Sequence, residues 1–298
     1  MHGWIVLDKR SGMTSTQAVG AVRRLLNARK AGHAGTLDPL ATGILPIALG
    51  EATKTVSFAV DGVKAYRFTV RWGAETDTDD AEGTVTATSE KLPDEAAIRA
   101  LIPSFTGAVS QVPPQYSAIK IDGQRAYDLA REGETVKLEA RVVSIDDLRL
   151  AERSEGATAV FEAQCGKGTY VRALVRDIGR ALGCFGHVTA LRRTRVGPFE
   201  EGRAVTIEQL EELAAGNGGA AALSATLLPV ETALEGLEPL NVSQADAARL
   251  ANGQAVLLRG RDAPILTGPA FAVSRGQLVA ICEIDHGEMR PSRVFNWT

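Results

Sequence analysis

One carboxylate near the N-terminus is isolated in sequence from other acidic residues. Asp38 is the only acidic residue between Lys9 and Gly50, and it lies in the glycine- and proline-rich stretch GHAGTLDPLATG. Pro39 favours an extended backbone at Asp38 and removes the next N–H donor, while neighbouring glycines let a ligand approach the chain closely. An Asp-Pro pair by itself usually forms an ordinary turn. A turn and a rigidly held catalytic carboxylate both fit this pattern.

The wider sequence around Asp38 is far more specific than the Asp-Pro pair. The stretch from Gly32 to Lys54, GHAGTLDPLATGILPIALGEATK, is preceded by LDKRSGMTS and followed by KAYRF, TDTDDAEG and KGTYVR. In this order, these segments closely resemble the motifs of the TruB family of tRNA pseudouridine synthases. The resemblance covers most of residues 1–200 and, more weakly, the rest of the chain.

The resemblance implies a fold and a division into domains. Together with the pattern of strands and helices, it predicts an α/β fold (α+β, mixed) with a largely antiparallel sheet of the pseudouridine synthase type. The catalytic domain is expected over residues 1–230, and a small β-rich, PUA-like RNA-binding domain over residues 237–298.

The activity that the resemblance implies is the isomerisation of a T-loop uridine of tRNA, at position 55, to pseudouridine. This reaction breaks the N1–C1′ bond, turns the uracil and rejoins it through C5 without net redox change, so a carboxylate is the minimum apparatus. No cofactor, metal or protein partner is implied; the partner is the tRNA T-arm. Two rivals on the same fold are a tRNA-binding or tRNA-folding chaperone and a guide-RNA-dependent subunit. The lack of obvious long extensions favours a stand-alone enzyme, and a monomer is expected.

Four residues match the catalytic positions of the family: Asp38, Tyr66, Tyr170 and Arg172. Asp38 is the implied catalytic Asp, and Arg172 is implied to pair with it and keep it ionised. Tyr66 is implied to stack on the flipped uracil, and Tyr170 to handle the C5 proton. From the residues alone, Arg172 also fits an exposed helix surface, and a tyrosine in phase with Phe68 along a strand is usually a core residue.

Four further residues match the substrate-binding positions of the family: Lys9, His33, Asp80 and Leu191. Lys9 is expected to bind a phosphate or to position the loop that carries the carboxylate, and Arg10 follows it where the family usually has proline. His33, in an exposed loop, is implied to fill the stack that the flipped nucleotide leaves. Asp80 is implied to organise the pocket and Leu191 to close it. The simpler alternatives are a loop histidine, a solvated loop acid and a core leucine.

Charge is unevenly distributed along the chain, whose net charge is −3. Residues 1–50 hold six basic and two acidic side chains, a net charge of +4, and residues 166–197 hold seven and one, a net charge of +6. Residues 199–238 contain eight glutamates and one arginine. The two basic segments predict an RNA-binding surface if they meet in space, and solvated helix faces if they do not.

Other features limit the class of protein. Cys165, Cys184 and Cys282 have no C-x-x-C spacing, which favours reduced structural thiols over a disulfide framework or a zinc site. No apolar run approaches the ~18 residues that span a bilayer, and the N-terminus does not have the pattern of a signal peptide. The sequence therefore predicts a cytoplasmic protein without a membrane segment.

Periodicity and turn signals predict the elements that must position these residues. The predictions that bear on the site are a capping box at 14–17, a half-buried strand over 64–72, paired central strands over 142–150 and 157–165, a helix over 125–131, a helix over 170–182, and an Ala/Gly-rich loop over 214–222.

Overall fold

The computed structural model describes residues 1–117, 120–121, 124–125, 138–152, 156–258 and 266–297, with the backbone alone at 120–121 and 124–125. Within these residues the chain forms one large sheet, one smaller sheet, two short hairpins and seven α-helices. The helix predicted over 125–131 lies outside the described residues, apart from its first residue. The structure confirms the predicted α/β class with a mixed, largely antiparallel sheet.

The strands are numbered along the chain: β1 Gly3–Lys9, β2 Ala31–His33, β3 Thr42–Leu49, β4 Lys64–Trp72, β5 Ala74–Thr76, β6 Val85–Thr88, β7 Gly107–Gln111, β8 Lys120–Ile121, β9 Gln124–Arg125, β10 Arg141–Glu152, β11 Thr158–Cys165, β12 Gly186–Val196, β13 Phe199–Glu200, β14 Glu238–Asn241, β15 Val256–Leu257, β16 Gly268–Ser274, β17 Gln277–Asp285 and β18 Glu288–Val294. The large sheet follows the order β1-β3-β12-β4-β11-β10-β7, with β2 paired to β3 and β13 to β12. Every neighbouring pair on this path is antiparallel except β3 and β12.

The parallel contact between β3 and β12 lies next to the loop that carries Asp38. Thr42 is opposite Arg192 there, and Gly43 is opposite Arg193. Gly43 has a φ of 96°, and a Cβ at this position would lie 2.2 Å from the carbonyl oxygen of Arg193. Only glycine permits both the backbone conformation and this close approach, so Gly43 fixes how the loop enters the sheet.

The α-helices are α1 Ser15–Leu25, α2 Val56–Asp61, α3 Glu95–Leu101, α4 Val171–Leu182, α5 Ile207–Ala215, α6 Gly219–Ala225 and α7 Gln244–Ala251. The predicted capping box is confirmed, since Gln17 N donates to Thr14 Oγ1 and Thr14 N donates to Gln17 Oε1. The helix predicted over 170–182 is α4, and the strands predicted over 142–150 and 157–165 pair as β10 and β11. No helix in the described part of the chain is long and apolar enough to cross a bilayer.

The loop predicted over 214–222 was wrong at both ends, because α5 continues to Ala215 and α6 begins at Gly219. Alanine has the highest helix propensity, and the burial of Leu223 in the main core supplies the packing that a short helix needs. The glycines of this segment favour a loop. The helix was missed because the core that stabilises it is formed by residues distant in sequence.

The C-terminal residues form a separate sheet in the order β14-β16-β17-β18-β15, flanked by α7. This β-rich unit has its own small apolar cluster, but a second cluster joins it to the rest of the chain. In that cluster Phe271 and Phe295 are buried together with Trp4 and Phe199. We call Trp4, Phe199, Phe271 and Phe295 the junction cluster. The unit is therefore docked through a buried apolar contact.

Candidate active site

The loop between β2 and β3 is clamped to the start of α1. Ser15, which is 4% exposed, donates its hydroxyl to the carbonyl oxygen of Leu37 (3.0 Å) and accepts from the Leu37 N–H (2.9 Å). One side chain thus satisfies both backbone groups of the residue before Asp38. This contact ties the backbone at Asp38 to α1.

A second clamp is the guanidinium of Arg193 on β12, which is 1% exposed. It donates to the carbonyl oxygens of Gly35 (3.0 Å) and Thr36 (3.3 Å) before Asp38. It also donates to the carbonyl oxygen of Ile44 after the loop (2.8 Å). Burial lowers the pKa of Arg193, and the nearby Tyr66 opposes this shift. The guanidinium therefore joins both arms of the loop to the large sheet.

Lys9 supports the same loop through hydrogen bonds to backbone carbonyl groups. Its ammonium donates to the carbonyl oxygens of Arg10 (2.9 Å), Met13 (2.8 Å) and Pro39 (3.3 Å), and the residue is 0% exposed. Burial lowers the pKa of Lys9 to about 8, and Asp38 opposes this shift. The geometry contradicts the phosphate-binding alternative, because an enclosed ammonium with three carbonyl partners has no face for a phosphate. It fits the alternative in which Lys9 positions the loop.

Asp38 and Arg172 form a two-point contact. Arg172 Nε lies 2.9 Å from Asp38 Oδ2, and Nη2 donates to Oδ1 (3.2 Å). The Arg172 side chain is 5% exposed and the Asp38 side chain 34%, so the carboxylate is accessible while its partner is buried. The guanidinium also donates to the carbonyl oxygens of Thr78 (2.8 Å) and Tyr116 (2.9 Å). Such charge-assisted pairing orients the carboxylate. The exposed-surface alternative for Arg172 is wrong.

The acidic segment TDTDDAEG packs against α4. Three acid–arginine pairs join this region to the helix: Asp80–Arg172 (3.6 Å), Asp79–Arg176 (3.0 Å) and Glu75–Arg180 (2.6 Å). Since helical residues four apart lie on one face, the three arginines form a continuous arginine row. Asp80 is 3% exposed, so the solvated-acid alternative is wrong for it. Asp80 instead contacts the arginine that holds Asp38.

These contacts use most of the positive charge of residues 166–197. Besides the arginine row, Arg192 pairs with Asp8 (2.8 Å) and Glu201 (2.6 Å), and Arg193 is buried in the loop clamp. The prediction that this segment presents an exposed RNA-binding surface is therefore contradicted for the buried Arg172, Arg176 and Arg193. Arg180 and Arg192 are 54% and 36% exposed, and acidic partners neutralise their charge.

Tyr66 on β4 is half-buried and faces both the core and the site. It packs against the main apolar core and lines the pocket beside Asp38. Burial raises the pKa of the Tyr66 hydroxyl, and the positive charge of the nearby Arg193 opposes this shift. The core and pocket interpretations of Tyr66 are thus not exclusive in this geometry.

Tyr170 immediately precedes α4 and is held by a buried glutamine. Gln111 accepts from the Tyr170 N–H (2.9 Å) and donates to its carbonyl oxygen (3.1 Å). Burial raises the pKa of the Tyr170 hydroxyl. The phenol is consequently protonated at neutral pH.

A pocket of about 240 Å³ opens beside Asp38. Its lining includes Asp38, Tyr66, Tyr170, Arg172 and Leu191. All four predicted catalytic residues are therefore brought together, with Leu191 as part of the wall. Its volume is below the ~300–1,000 Å³ of clefts that bind drug-sized ligands, which suits one small ring.

The other predicted substrate-binding residues lie outside this lining. Asp80 pairs with the pocket residue Arg172, and Lys9 binds the carbonyl oxygen of Pro39, the residue after Asp38. His33 is the last residue of β2 and is half-buried, so the prediction that it lies in an exposed loop was wrong. Its implied role in the nucleotide stack stays a prediction.

Three positioning residues were not singled out from the sequence: Ser15, Gln111 and Arg193. Arg193 carried a usable signal, since it lies in phase with the buried Leu191 along β12, and an arginine on a buried strand face requires specific partners. Ser15 lies within the LDKRSGMTS segment without distinguishing features. No local signal marked Gln111, whose partner is 59 residues away.

Two family models match the chain in succession. Residues 23–171 match the N-terminal domain of TruB family pseudouridylate synthases, and residues 172–235 match the C-terminal domain of tRNA pseudouridylate synthase B. The two matches meet at the start of α4, so the pocket uses residues from both.

Relatives match over the whole length of this chain. The tRNA pseudouridine synthase B of Rhodopseudomonas palustris is 60% identical over 302 residues, which cover 100% of this chain and 82% of that protein. The tRNA pseudouridine synthase B of Bradyrhizobium diazoefficiens is 61% identical and is covered to 87%. The crystal structure of a Cbf5-Nop10-Gar1 complex has a similar chain, with a TM-score of 0.76 at 27% identity over 99% of this chain and 84% of that one.

A mixed sheet that holds a carboxylate–arginine pair beside two tyrosines agrees with the class of enzyme that these matches define. The chain belongs to the TruB family of pseudouridylate synthases. It is an isomerase, as the sequence predicted.

Proposed function

We propose that this protein isomerises a uridine in the T-loop of tRNA, at position 55, to pseudouridine, with Asp38 as the reacting carboxylate. The observation that carries this proposal is the accessible Asp38 carboxylate held by the buried Arg172 at a pocket of about 240 Å³. The name tRNA pseudouridine synthase B, borne by relatives that are 60% and 61% identical, supports tRNA as the substrate.

The chemistry divides among the pocket residues. A uridine inside a folded loop must be flipped out of its stack to reach Asp38, and the Tyr66 ring offers a face for the uracil. Arg172 orients the carboxylate for its reaction with the sugar or the base, and Asp38 is released unchanged when the new glycosidic bond has formed. The N1–C1′ bond breaks and the C5–C1′ bond forms, so C5 loses one proton and N1 gains one. Tyr170, protonated at neutral pH, relays the C5 proton: its oxygen accepts that proton as its own proton passes to solvent, and N1 takes a proton from solvent.

The surrounding residues support this arrangement from outside the pocket. Lys9 and Asp80 hold the loop and the arginine, Leu191 closes one wall, and His33 fills the place of the flipped nucleotide. We infer that the protein works in the cytoplasm as a monomer, with residues 1–230 as the catalytic domain and residues 237–298 as an RNA-binding unit. Neither a cofactor nor a metal takes part.

Two rival functions predict different behaviour. A tRNA chaperone would not need an ionised carboxylate in a pocket lined by tyrosines, and a guide-RNA-dependent subunit would need other macromolecules. The solved structure with Nop10 and Gar1 is 27% identical to this chain, whereas the relatives named tRNA pseudouridine synthase B are 60% and 61% identical. These identities favour the tRNA enzyme.

The test is to incubate the purified protein alone with an unmodified tRNA transcript and to map pseudouridine at single-nucleotide resolution. We expect one new pseudouridine, at position 55. Product elsewhere would contradict the assigned position. Product only after addition of a guide RNA would establish the subunit, and binding or refolding without product would establish the chaperone.

A further inference from the structure

The exposed cations before the Asp38 loop differ from those of residues 166–197. Arg23 and Arg24 on α1, with Arg29 and Lys30 after it, are all exposed. Within the described part of the chain, no ion pair joins any of these four to an acidic side chain. Their charge is therefore available to a ligand, in contrast to the charge of the arginine row.

Arg23 and Arg24 line a surface groove of about 1150 Å³, together with Arg10. Of the residues that the structure describes, none that lines the groove is acidic. Gly20 also lines it and adds no side chain to the surface. Arg10 pairs with Glu208, which is itself 54% exposed, and such surface pairs are weak and easily exchanged. The groove thus presents three cations to a partner.

This groove adjoins the loop that carries Asp38, because the N–H of Gly12, which lines the groove, donates to the carbonyl oxygen of Pro39 (2.8 Å). At about 1.5 Å per helical residue, Arg24 lies about 13 Å along α1 from Ser15, the residue that clamps the loop. A double-stranded nucleic acid carries one negative charge per about 1.7 Å of its axis. A ligand that places one nucleotide in the pocket therefore brings several phosphates past α1.

We propose that the groove on α1 binds the phosphate backbone of the tRNA stem next to the loop that holds the target uridine. This inference rests on the proposed function, and it names the surface that receives the rest of the substrate. The contacts are to phosphates, so they add affinity and orientation without reading sequence.

A simpler explanation of the same arginines is local stabilisation of α1. Arg23 and Arg24 lie in its last turn, where cations interact favourably with the helix dipole. This explanation predicts that removing them lowers stability and leaves RNA binding unchanged. The two explanations therefore differ in a measurable way.

The experiment compares the variant Arg23→Gln/Arg24→Gln with the wild-type protein, measuring the Kd for an unmodified tRNA transcript across a series of salt concentrations. We expect a Kd about ten-fold higher at low salt and a slope of log K against log salt that is shallower by about 1 to 2. The loss of turnover should appear in KM. Pseudouridine formation by the wild-type protein is measured in parallel.

The control is Arg99→Gln, compared with Arg24→Gln so that each variant loses one charge. Arg99 is also an exposed arginine in the last turn of a helix. A larger loss of tRNA affinity for Arg24→Gln supports the groove. Equal Kd and salt slope for the two variants overturn it, even if the melting temperature falls. If the wild-type protein binds tRNA but forms no pseudouridine, the proposed function fails instead.

Discussion

The position of Asp38 depends on three buried side chains that bind the backbone of its loop. Ser15, Lys9 and Arg193 are 4%, 0% and 1% exposed, respectively, and each binds backbone groups of the loop. A loop held by its backbone keeps its shape when the side chain of Asp38 reacts. This preorganisation is the property that a reacting carboxylate needs.

Replacing the Ser15 hydroxyl tests whether this clamp controls chemistry. Ser15→Ala leaves both backbone groups of Leu37 unpaired in a buried site, which should cost about 1–3 kcal/mol of the free energy of unfolding. A small displacement of Asp38 should also lower kcat, by up to about 100-fold. Denaturant unfolding and single-turnover assays measure the two effects. Ser104→Ala, which removes an exposed hydroxyl bonded to a backbone carbonyl, is the control. Reduced stability with wild-type kcat would mean that the clamp does not position the carboxylate.

The two roles considered for Tyr66 predict different effects of substitution. A residue that stacks on the base affects tRNA binding, whereas a core residue affects stability alone. Tyr66→Phe keeps the ring and should keep tRNA binding, whereas Tyr66→Leu should lose about 1–3 kcal/mol of base–aromatic stacking. Binding and turnover of both variants are measured beside their melting temperatures. If the two variants have the same activity and differ only in melting temperature, Tyr66 is a core residue alone.

At the level of single residues, the sequence identified the side chains that line the pocket better than the side chains that position them. The residues that line the pocket belong to long motifs, and their chemistry is distinctive. The contacts of Ser15 and Gln111 are formed across 22 and 59 residues, and a serine or glutamine has many other uses. Such partners are set by the folded backbone, so local sequence carries little information about them.

At the level of elements, α4 is the structural centre of the site. Its first turn delivers Arg172 to Asp38, and the rest of the arginine row anchors the acidic segment that also contacts Arg172. The arginines at positions 172, 176 and 180 are four residues apart, so the row could be predicted from spacing once α4 was predicted. Its partners could not, because charge alone does not distinguish a buried ion pair from a phosphate-binding surface.

The pair Asp79–Arg176 predicts a pH-dependent effect of Arg176→Met. Burial raises the pKa of Asp79 from 3.8 to about 6, with Arg176 opposing the shift. Without Arg176 this pKa should rise further, so a folded variant at pH 5 keeps Asp79 neutral. Above the folded pKa, the variant must bury an unpaired carboxylate, which should cost about 3–5 kcal/mol. The destabilisation should therefore be small at pH 5 and large at pH 8.

Denaturant unfolding at both pH values measures this difference. Arg99→Met, which breaks an exposed pair with Glu95, is the control and should show little change at either pH. Adding Asp79→Asn to the Arg176→Met variant should restore stability at pH 8. A destabilisation that is the same at pH 5 and pH 8 would show that the Asp79 carboxylate is not its cause.

For the molecule as a whole, the junction cluster couples the C-terminal unit to the large sheet. Phe295, which is 5% exposed, packs there with residues from the N-terminal strand. Two hydrogen bonds add to the contact, from Lys54 Nζ to the Val294 carbonyl (2.8 Å) and from Asn296 N–H to Glu51 (2.7 Å). The sequence indicated a β-rich unit after residue 237, but it gave no sign of this shared core, whose members are distant in sequence.

A shared core predicts one cooperative unfolding transition for the whole chain. Calorimetry should give equal calorimetric and van't Hoff enthalpies. Phe295→Ala should lower the free energy of unfolding by about 3–5 kcal/mol and keep a single transition. Leu257→Ala, at a position that is 50% exposed, is the control in the same unit. Two separate transitions in the wild-type protein would show that the C-terminal unit folds independently.

The central claim is that Asp38 reacts with the flipped uridine, and replacing its carboxylate by an amide tests it most directly. Asp38→Asn keeps the size of the side chain while removing the charge and the nucleophile. The measurement is pseudouridine formation in an unmodified tRNA transcript under single-turnover conditions, beside tRNA affinity and melting temperature. We predict a folded variant that binds tRNA as the wild-type protein does and forms no pseudouridine. Measurable turnover by a folded Asp38→Asn variant would contradict the claim.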